Sequence, residues 1–182
     1  VLGRYEVQRI IGNGGMATVY LAKHLQTDRL VALKLLDPQI SADPAYVERF
    51  CREAKATGRV RSDHVVTIYD FDADESGSLV LVMEYLAGQS VQAAMRNGRM
   101  EPGRAMLFAR QMLEGLAAAH AAGVVHRDLK PANLFLERTP SGTERLKILD
   151  FGISKMSDGS QEELTRVGQT LGTVAYMAPE QV

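Results

Sequence analysis

The stretch His126-Arg127-Asp128-Leu129-Lys130-Pro131-Ala132-Asn133 crowds ionisable and amide side chains between apolar residues, Val124-Val125 before it and Leu134-Phe135-Leu136 after it. A solvated loop rarely holds so many polar groups between two buried strands without a task. An aspartate in such a loop can accept a hydroxyl proton, and a lysine two positions on can balance phosphate charge. An amide five residues after the aspartate can offer a hard oxygen to Mg²⁺. Further on, Leu146-Lys147-Ile148-Leu149 reads as a strand that delivers Asp150, the head of Asp150-Phe151-Gly152, to a turn. Asp150 and Asn133 together would make a pair of Mg²⁺ ligands.

Two features nearer the start bear on the same chemistry. Gly12-Asn13-Gly14-Gly15-Met16-Ala17 fits the pattern G-x-G-x-x-G/A. In a dinucleotide fold these glycines lead into a helix, with an acidic residue about 20 positions on. Here Thr18-Val19-Tyr20-Leu21 is β-prone, and Lys34 rather than an acid stands at that distance. The segment then reads either as an ordinary hairpin or as a glycine hairpin that closes over phosphates, its backbone unobstructed by side chains. Lys34 interrupts the apolar run Val31-Ala32-Leu33-Lys34-Leu35-Leu36, where an ammonium is costly unless paired or solvated. It is either an edge lysine facing water or a phosphate-holding lysine aimed by a carboxylate, for which Glu53 is the candidate.

The elements that must position these residues fall into two groups. Tyr5–Ile11 and Thr18–Lys23 read as strands around the glycine turn, and Val31–Leu36 as a third. Asp43 as N-cap and Pro44 in the first turn open a helix with apolar spacing at Val47, Phe50, Cys51 and Ala54, for which Gly58 is a stop. Strands are expected at Val65–Asp70 and Leu79–Tyr85, split by the turn-rich Asp74-Glu75-Ser76-Gly77. Past Leu86-Ala87-Gly88, Glu101–Ala122 carries a helical stripe of Ala105, Phe108, Ala109, Met112, Leu113 and Leu116, with Gly123 as its cap. A strand-rich part followed by a helix-rich part predicts an α+β fold in two lobes.

Composition bounds the partners. The chain has 182 residues, 46% hydrophobic and 24% charged, as in ordinary globular proteins. With 21 basic against 22 acidic residues the net charge is -1, which disfavours a dominant nucleic-acid or polybasic membrane surface. The single cysteine, Cys51, cannot form an internal disulfide and fits a reducing, cytoplasmic setting. No apolar run reaches the roughly 20 residues that span a bilayer.

Taken in order, these pieces resemble the eukaryotic-type Ser/Thr protein kinase family: the glycine loop, Val31-Ala32-Leu33-Lys34, Glu53, His126 to Asn133, Asp150-Phe151-Gly152 and Ala178-Pro179-Glu180. Gly14-Gly15-Met16-Ala17-Thr18-Val19-Tyr20 looks most like bacterial members. Lys130-Pro131-Ala132-Asn133 and the segment from Gly172-Thr173 to Glu180 look like Ser/Thr rather than Tyr specificity. The resemblance implies a bilobal fold: an antiparallel N-lobe with one helix over residues 1–85, a hinge at 86–88, and the first part of a mainly helical C-lobe over 89–182. The activation segment would span 150–180.

It also implies roles. Lys34 would hold the α- and β-phosphates of ATP and pair with Glu53. Ile11, Gly12, Asn13, Gly14 and Gly15 would line the nucleotide. Val19 and Ala32 would cover the adenine with Phe135 beneath it; Met83 would be the gatekeeper, and the backbone of Glu84 and Leu86 would read the adenine edge. Asp128 would be the base that orients the substrate hydroxyl, Lys130 would steady the γ-phosphoryl group, and Asn133 and Asp150 would bind Mg²⁺, with Mn²⁺ an alternative. Arg127 implies control by phosphorylation of the activation segment, with Thr165 and Thr170 as candidate sites, while Thr173 would contact Asp128 and Lys130. Two departures stand out: Ala17 replaces the third glycine, and Ala87 stands where many members carry an acid that can reach the ribose.

The implied activity is transfer of the ATP γ-phosphoryl group to protein Ser/Thr hydroxyls, self-activated through a kinase–kinase dimer in a bacterial pathway. The longer protein could be tethered to a membrane. Rival readings are a pseudokinase that signals by shape, which the presence of Lys34, Asp128, Asn133 and Asp150 opposes, and a small-molecule phosphotransferase, which the peptide-docking Gly172–Glu180 segment opposes. The resemblance places the end of the chain two residues after Glu180, short of the remaining C-lobe helices, so this stretch alone is expected to be poorly stable and weakly active. Simpler structural roles suffice elsewhere: His120 as a packed or capping residue, His24 at the surface, His126 structural, Cys51 in the core, and Met106 and Met112 as core filler.

Overall fold

The computed structural model describes residues 1–15, 17–75, 77–96, 98–151 and 175–177. Alternating apolar residues and tight turns at its start produce a five-stranded antiparallel sheet of order β1-β2-β3-β5-β4, made of β1 (Tyr5–Asn13), β2 (Ala17–His24), β3 (Leu30–Leu36), β4 (Ile68–Ala73) and β5 (Leu79–Glu84). The glycine turn joins β1 to β2, where the Gly14 N–H donates to the Ala17 carbonyl at 3.0 Å. After the short helix α1 (Pro38–Ser41), which the apolar pattern had not disclosed, comes α2 (Pro44–Thr57). The Asp43 side chain accepts from the Ala45 N–H at 2.9 Å, and Pro44 occupies the first turn, where it has no intrahelical N–H to lose. Phe50 and Ala54 on its inner face pack against Leu36, Leu79 and Leu81 of the sheet. Gly58 ends the helix in right-handed conformation, φ -63°, so no left-handed cap is involved.

Val65 and Val66 do not belong to β4, which begins only at Ile68. Strand β8 (Glu144–Ile148) of the second part captures them: the Ile148 N–H donates to the His64 carbonyl and the Val66 N–H to the Ile148 carbonyl, both at 2.9 Å. Both valines are buried.

Beyond Glu84 the element types change. A three-stranded sheet of order β6-β7-β8 combines β6 (Gly88–Ser90), β7 (Leu134–Arg138) and β8 (Glu144–Ile148), with α3 (Val91–Arg96) and α4 (Pro102–Ala121) between its first two strands. The Glu101 side chain caps α4 by accepting from the Gly103 and Arg104 N–H groups at 2.8 and 2.7 Å. At the other end Gly123, φ +74°, turns the chain so that its own N–H and that of Val124 close on the carbonyls of His120 and Ala119.

The buried face of α4 is Phe108, Gly115 and Ala119, which differs from the stripe read in the sequence. Met112 does pack against the core, but Leu113 is 61% and Met106 72% exposed, and His120 is exposed rather than packed. The reason is Gly115. A side chain there would sit 2.9 Å from the His64 carbonyl and from Ile148, so the bare backbone rotates that face inward. Val124-Val125 forms no strand; Val124 enters the core with Leu136, Leu146, Ile148 and Phe151, while Val125 faces solvent.

Candidate active site

The loop between Val125 and Leu134 is built around a buried histidine. His126 is 3% exposed, its ring 4.8 Å from that of Phe151. Its Nδ1 accepts from the Asp128 N–H at 3.2 Å, so the proton sits on Nε2, which donates to the Leu149 carbonyl at 2.8 Å. Burial pushes this imidazole below its ordinary value, more than the Leu149 carbonyl and the carboxylates of Asp128 and Asp150 raise it. The histidine is a neutral strut that ties the loop to the end of β8, in line with its structural reading.

That strut delivers the polar side chains. Asp128 is 6% exposed, and its Oδ2 receives the Lys130 ammonium at 2.8 Å. Asn133 closes the loop from within a 3₁₀ turn, Pro131–Asn133. Its Nδ2 donates to the Asp128 carbonyl at 2.8 Å and to Asp128 Oδ2 at 3.1 Å. Its own carbonyl accepts from the Leu149 N–H at 2.8 Å, which sets Asn133 beside the residue preceding Asp150. With Nδ2 committed to Asp128, the amide oxygen of Asn133 has no partner among the described residues. An amide oxygen and a partly exposed carboxylate brought together in this way fit a hard divalent cation.

Asp150 itself accepts from the Lys34 ammonium at 2.6 Å, in a pair whose side chains are 13% and 31% exposed. Lys34 is therefore no edge lysine. It is central in the sheet, opposite Val19 on β2 and Leu81 on β5, and Ala32 lies opposite Met83 on the same face. Gly12 faces Val19 across the β1–β2 ladder. Phe135 lies beside Gly88, just past the end of the larger sheet.

The expected pairing of Lys34 with Glu53 is not the one that forms. Glu53 accepts instead from the Arg127 guanidinium at 3.3 Å, and Lys34 turns to Asp150. Two ion pairs result, and each of the two carboxylates has a cation. Arg127 and Asp150 both have positive φ, +60° and +50°. Such backbone costs non-glycine residues on the order of 1–3 kcal/mol and gathers at functional sites.

Three features of this region escaped sequence reasoning. Gly88 has φ +154°, and a β-carbon there would fall 1.9 Å from the Leu136 carbonyl, a close approach that no local pattern encodes. Lys147 lies buried on β8 and pairs with Glu84. Arg127 turned out to hold Glu53. Thr165, Thr170, Thr173 and Ala178-Pro179-Glu180 lie outside the described residues. Among the described residues no group of three or more His, Cys, Asp and Glu side chains could hold a metal ion by itself, and His64 instead joins Glu114 at 3.2 Å and the Leu146 carbonyl at 3.0 Å.

The sequence pattern of the protein kinase domain matches residues 5–182. The chain belongs to the protein kinase family. Within it, the chain is similar to bacterial Ser/Thr kinases: it is 41% identical over 181 residues to the serine/threonine-protein kinase pkn3 of Myxococcus xanthus and 41% identical over 179 residues to PknE of Mycobacterium tuberculosis. These alignments cover 98% of this chain but 33% and 30% of the relatives, so the chain spans about a third of the length of the curated proteins it matches. The crystal structure of the Mycobacterium tuberculosis PknI kinase domain superposes with a TM-score of 0.74 at 30% identity, over 85% of this chain and 62% of the other. The fold is that of a protein kinase domain, with the antiparallel sheet and α2 as its smaller lobe.

Proposed function

We propose that this protein is an ATP-dependent protein Ser/Thr kinase. The observation that carries the reading is a chain of contacts: Lys34 pairs with Asp150, Lys130 and Asn133 engage Asp128, and the Leu149 N–H on the Asn133 carbonyl ties the two groups together. Residues 1–85 serve as the N-lobe, 86–88 as the hinge and 89–182 as part of the C-lobe. The adenine lies between Val19 and Ala32 above and Phe135 below, read by the backbone of Glu84 and Leu86 next to Met83. Ile11 and the loop Gly12-Asn13-Gly14-Gly15 cover the phosphates. Asn133 and Asp150 would hold the metal, Mg²⁺ before Mn²⁺, which when bound would supply charge neutralisation on the phosphates. Asp128, fixed by Asn133 and the neutral His126, orients the protein hydroxyl and takes its proton, while Lys130 steadies the transferred group. Catalysis here is positioning plus electrostatics.

Lys34–Asp150 and Arg127–Glu53 are the pairs of a resting arrangement. A phosphate on Thr165 or Thr170 competes for Arg127, which releases Glu53 toward Lys34 and frees the Asp150 carboxylate, which would then be able to hold a divalent cation. The donor of that phosphate is a second copy of the kinase, and the substrates are proteins; Thr173 lines their approach. The site of action is the cytoplasm, whether free or beside a membrane. Among the described residues no helix is long and apolar enough to cross a membrane.

Phosphopeptide mapping of the full-length protein after incubation with Mg·ATP tests the scheme. Phosphate on Thr165 or Thr170, absent from the Asp128→Asn variant, is the expected result. An unmodified parent protein would refute self-activation.

A further inference from the structure

Lys147 is 4% exposed in a strand whose neighbours are apolar, and nothing in the phosphoryl-transfer scheme uses it. Its ammonium donates to Glu84 Oε1 at 2.6 Å and lies 3.5 Å from the Val65 carbonyl. Glu84 is the last residue of β5, where the chain leaves the smaller lobe. The same Oε1 accepts from the Thr67 N–H at 2.7 Å, while the Glu84 N–H donates to the Thr67 carbonyl at 3.0 Å. Glu84 is thereby gripped at both side chain and backbone. On β8, Lys147 stands opposite Phe135 of β7, on the same face of the small sheet. One side chain thus borders the aromatic floor of the cleft and holds the carboxylate of its back edge.

We propose that Lys147 is a positioning residue for the adenine site: through Glu84 it fixes the backbone that reads the base, and beside Phe135 it fixes the floor. A buried ammonium between Leu146 and Ile148 is costly unless paired, and so is a largely buried carboxylate left without its partner. Without Lys147 the Glu84 carboxylate turns toward water and takes the start of the hinge with it. The lost preorganisation then falls on nucleotide binding. Asp128 and Lys130 are held by Asn133 and His126, so the chemical step is spared. The inference rests on the adenine placement proposed above.

The test measures ATP affinity and kinetics in the full-length protein. Lys147→Met is expected to raise KM and Kd for ATP by about tenfold while kcat stays within about twofold of the parent. Glu84→Gln keeps an acceptor for the Thr67 N–H but loses the charge, and is expected to raise KM for ATP in the same way. The double variant is expected to be no worse than either single one, because the two side chains act as a pair. A merely structural Lys147 would lower Tm and leave KM for ATP unchanged, and that result overturns the proposal. So does a fall in kcat at constant KM. Should Lys147→Met fail to fold, an unchanged KM in Glu84→Gln overturns it alone. A parent that binds no ATP would sink the kinase reading instead, which keeps the two failures apart.

Discussion

Single residues carry the chemistry by being held in unfavourable states that their neighbours over-determine. His126 shows this most clearly: it is buried neutral, with one ring nitrogen accepting from Asp128 and the other donating to Leu149. Its folded pKa lies below its ordinary value of 6.5, chiefly through burial. The unfolded chain therefore binds the proton first, and stability is complete above that ordinary value. It falls as pH drops below it toward the folded pKa. Thermal unfolding across that range should show Tm declining with acidity in the parent, and a shallower decline in His126→Phe. Equal slopes in the two proteins would contradict the assignment of the neutral strut. Asp128, Asn133 and Asp150 were legible from residue type and spacing, because their chemistry depends on identity. Their partners were not. Whether Lys34 meets Glu53 or Asp150 depends on where α2 and β8 lie relative to each other, which no local pattern encodes.

At the scale of elements, what the sequence disclosed was whatever has a local cause. Strands β1 to β3, the Asp43–Pro44 start of α2 and the Gly123 end of α4 each follow from alternation, a cap or a left-handed turn. What it concealed came from distant partners. Val65 and Val66 look like part of a strand but are claimed by β8, and the inner face of α4 is chosen by the bare backbone of Gly115 against His64 and Ile148. Gly88 is the sharpest instance. It stands at φ +154°, and its α-carbon faces the Leu136 carbonyl with no room for a methyl group. Gly88→Ala must break the β6–β7 pairing or move the chain that leaves β5. Destabilisation of about 2–4 kcal/mol follows from the combined clash and backbone strain. Denaturant unfolding would show it, and a change under about 0.5 kcal/mol, usual for surface substitutions, would contradict the close approach.

On the scale of the whole molecule, the two groups of elements meet through the backbone bonds of His64 and Val66 to Ile148 and through three ion pairs: Lys34 with Asp150, Arg127 with Glu53, and Lys147 with Glu84. The ion pairs are the part of this interface that a charged ligand can rearrange, which suits the nucleotide cleft proposed above. Ligand binding should then appear as stability. A Mg²⁺-nucleotide at a hundredfold excess over its Kd would add about 2.7 kcal/mol. Asp150→Asn should abolish the part of that gain that depends on Mg²⁺, read as the Tm difference with and without the metal. An undiminished Mg²⁺ increment in the variant would remove Asp150 from the metal site. The central claim is that this cleft transfers phosphate to protein hydroxyls with Asp128 as the base, and one rate comparison tests it most directly. Transfer of the γ-phosphoryl group from labelled ATP to protein Ser/Thr, measured at equal concentrations of the full-length parent and Asp128→Asn, should fall by about 10²–10⁴-fold in the variant, the usual worth of such a group. Equal rates in the two proteins would contradict it.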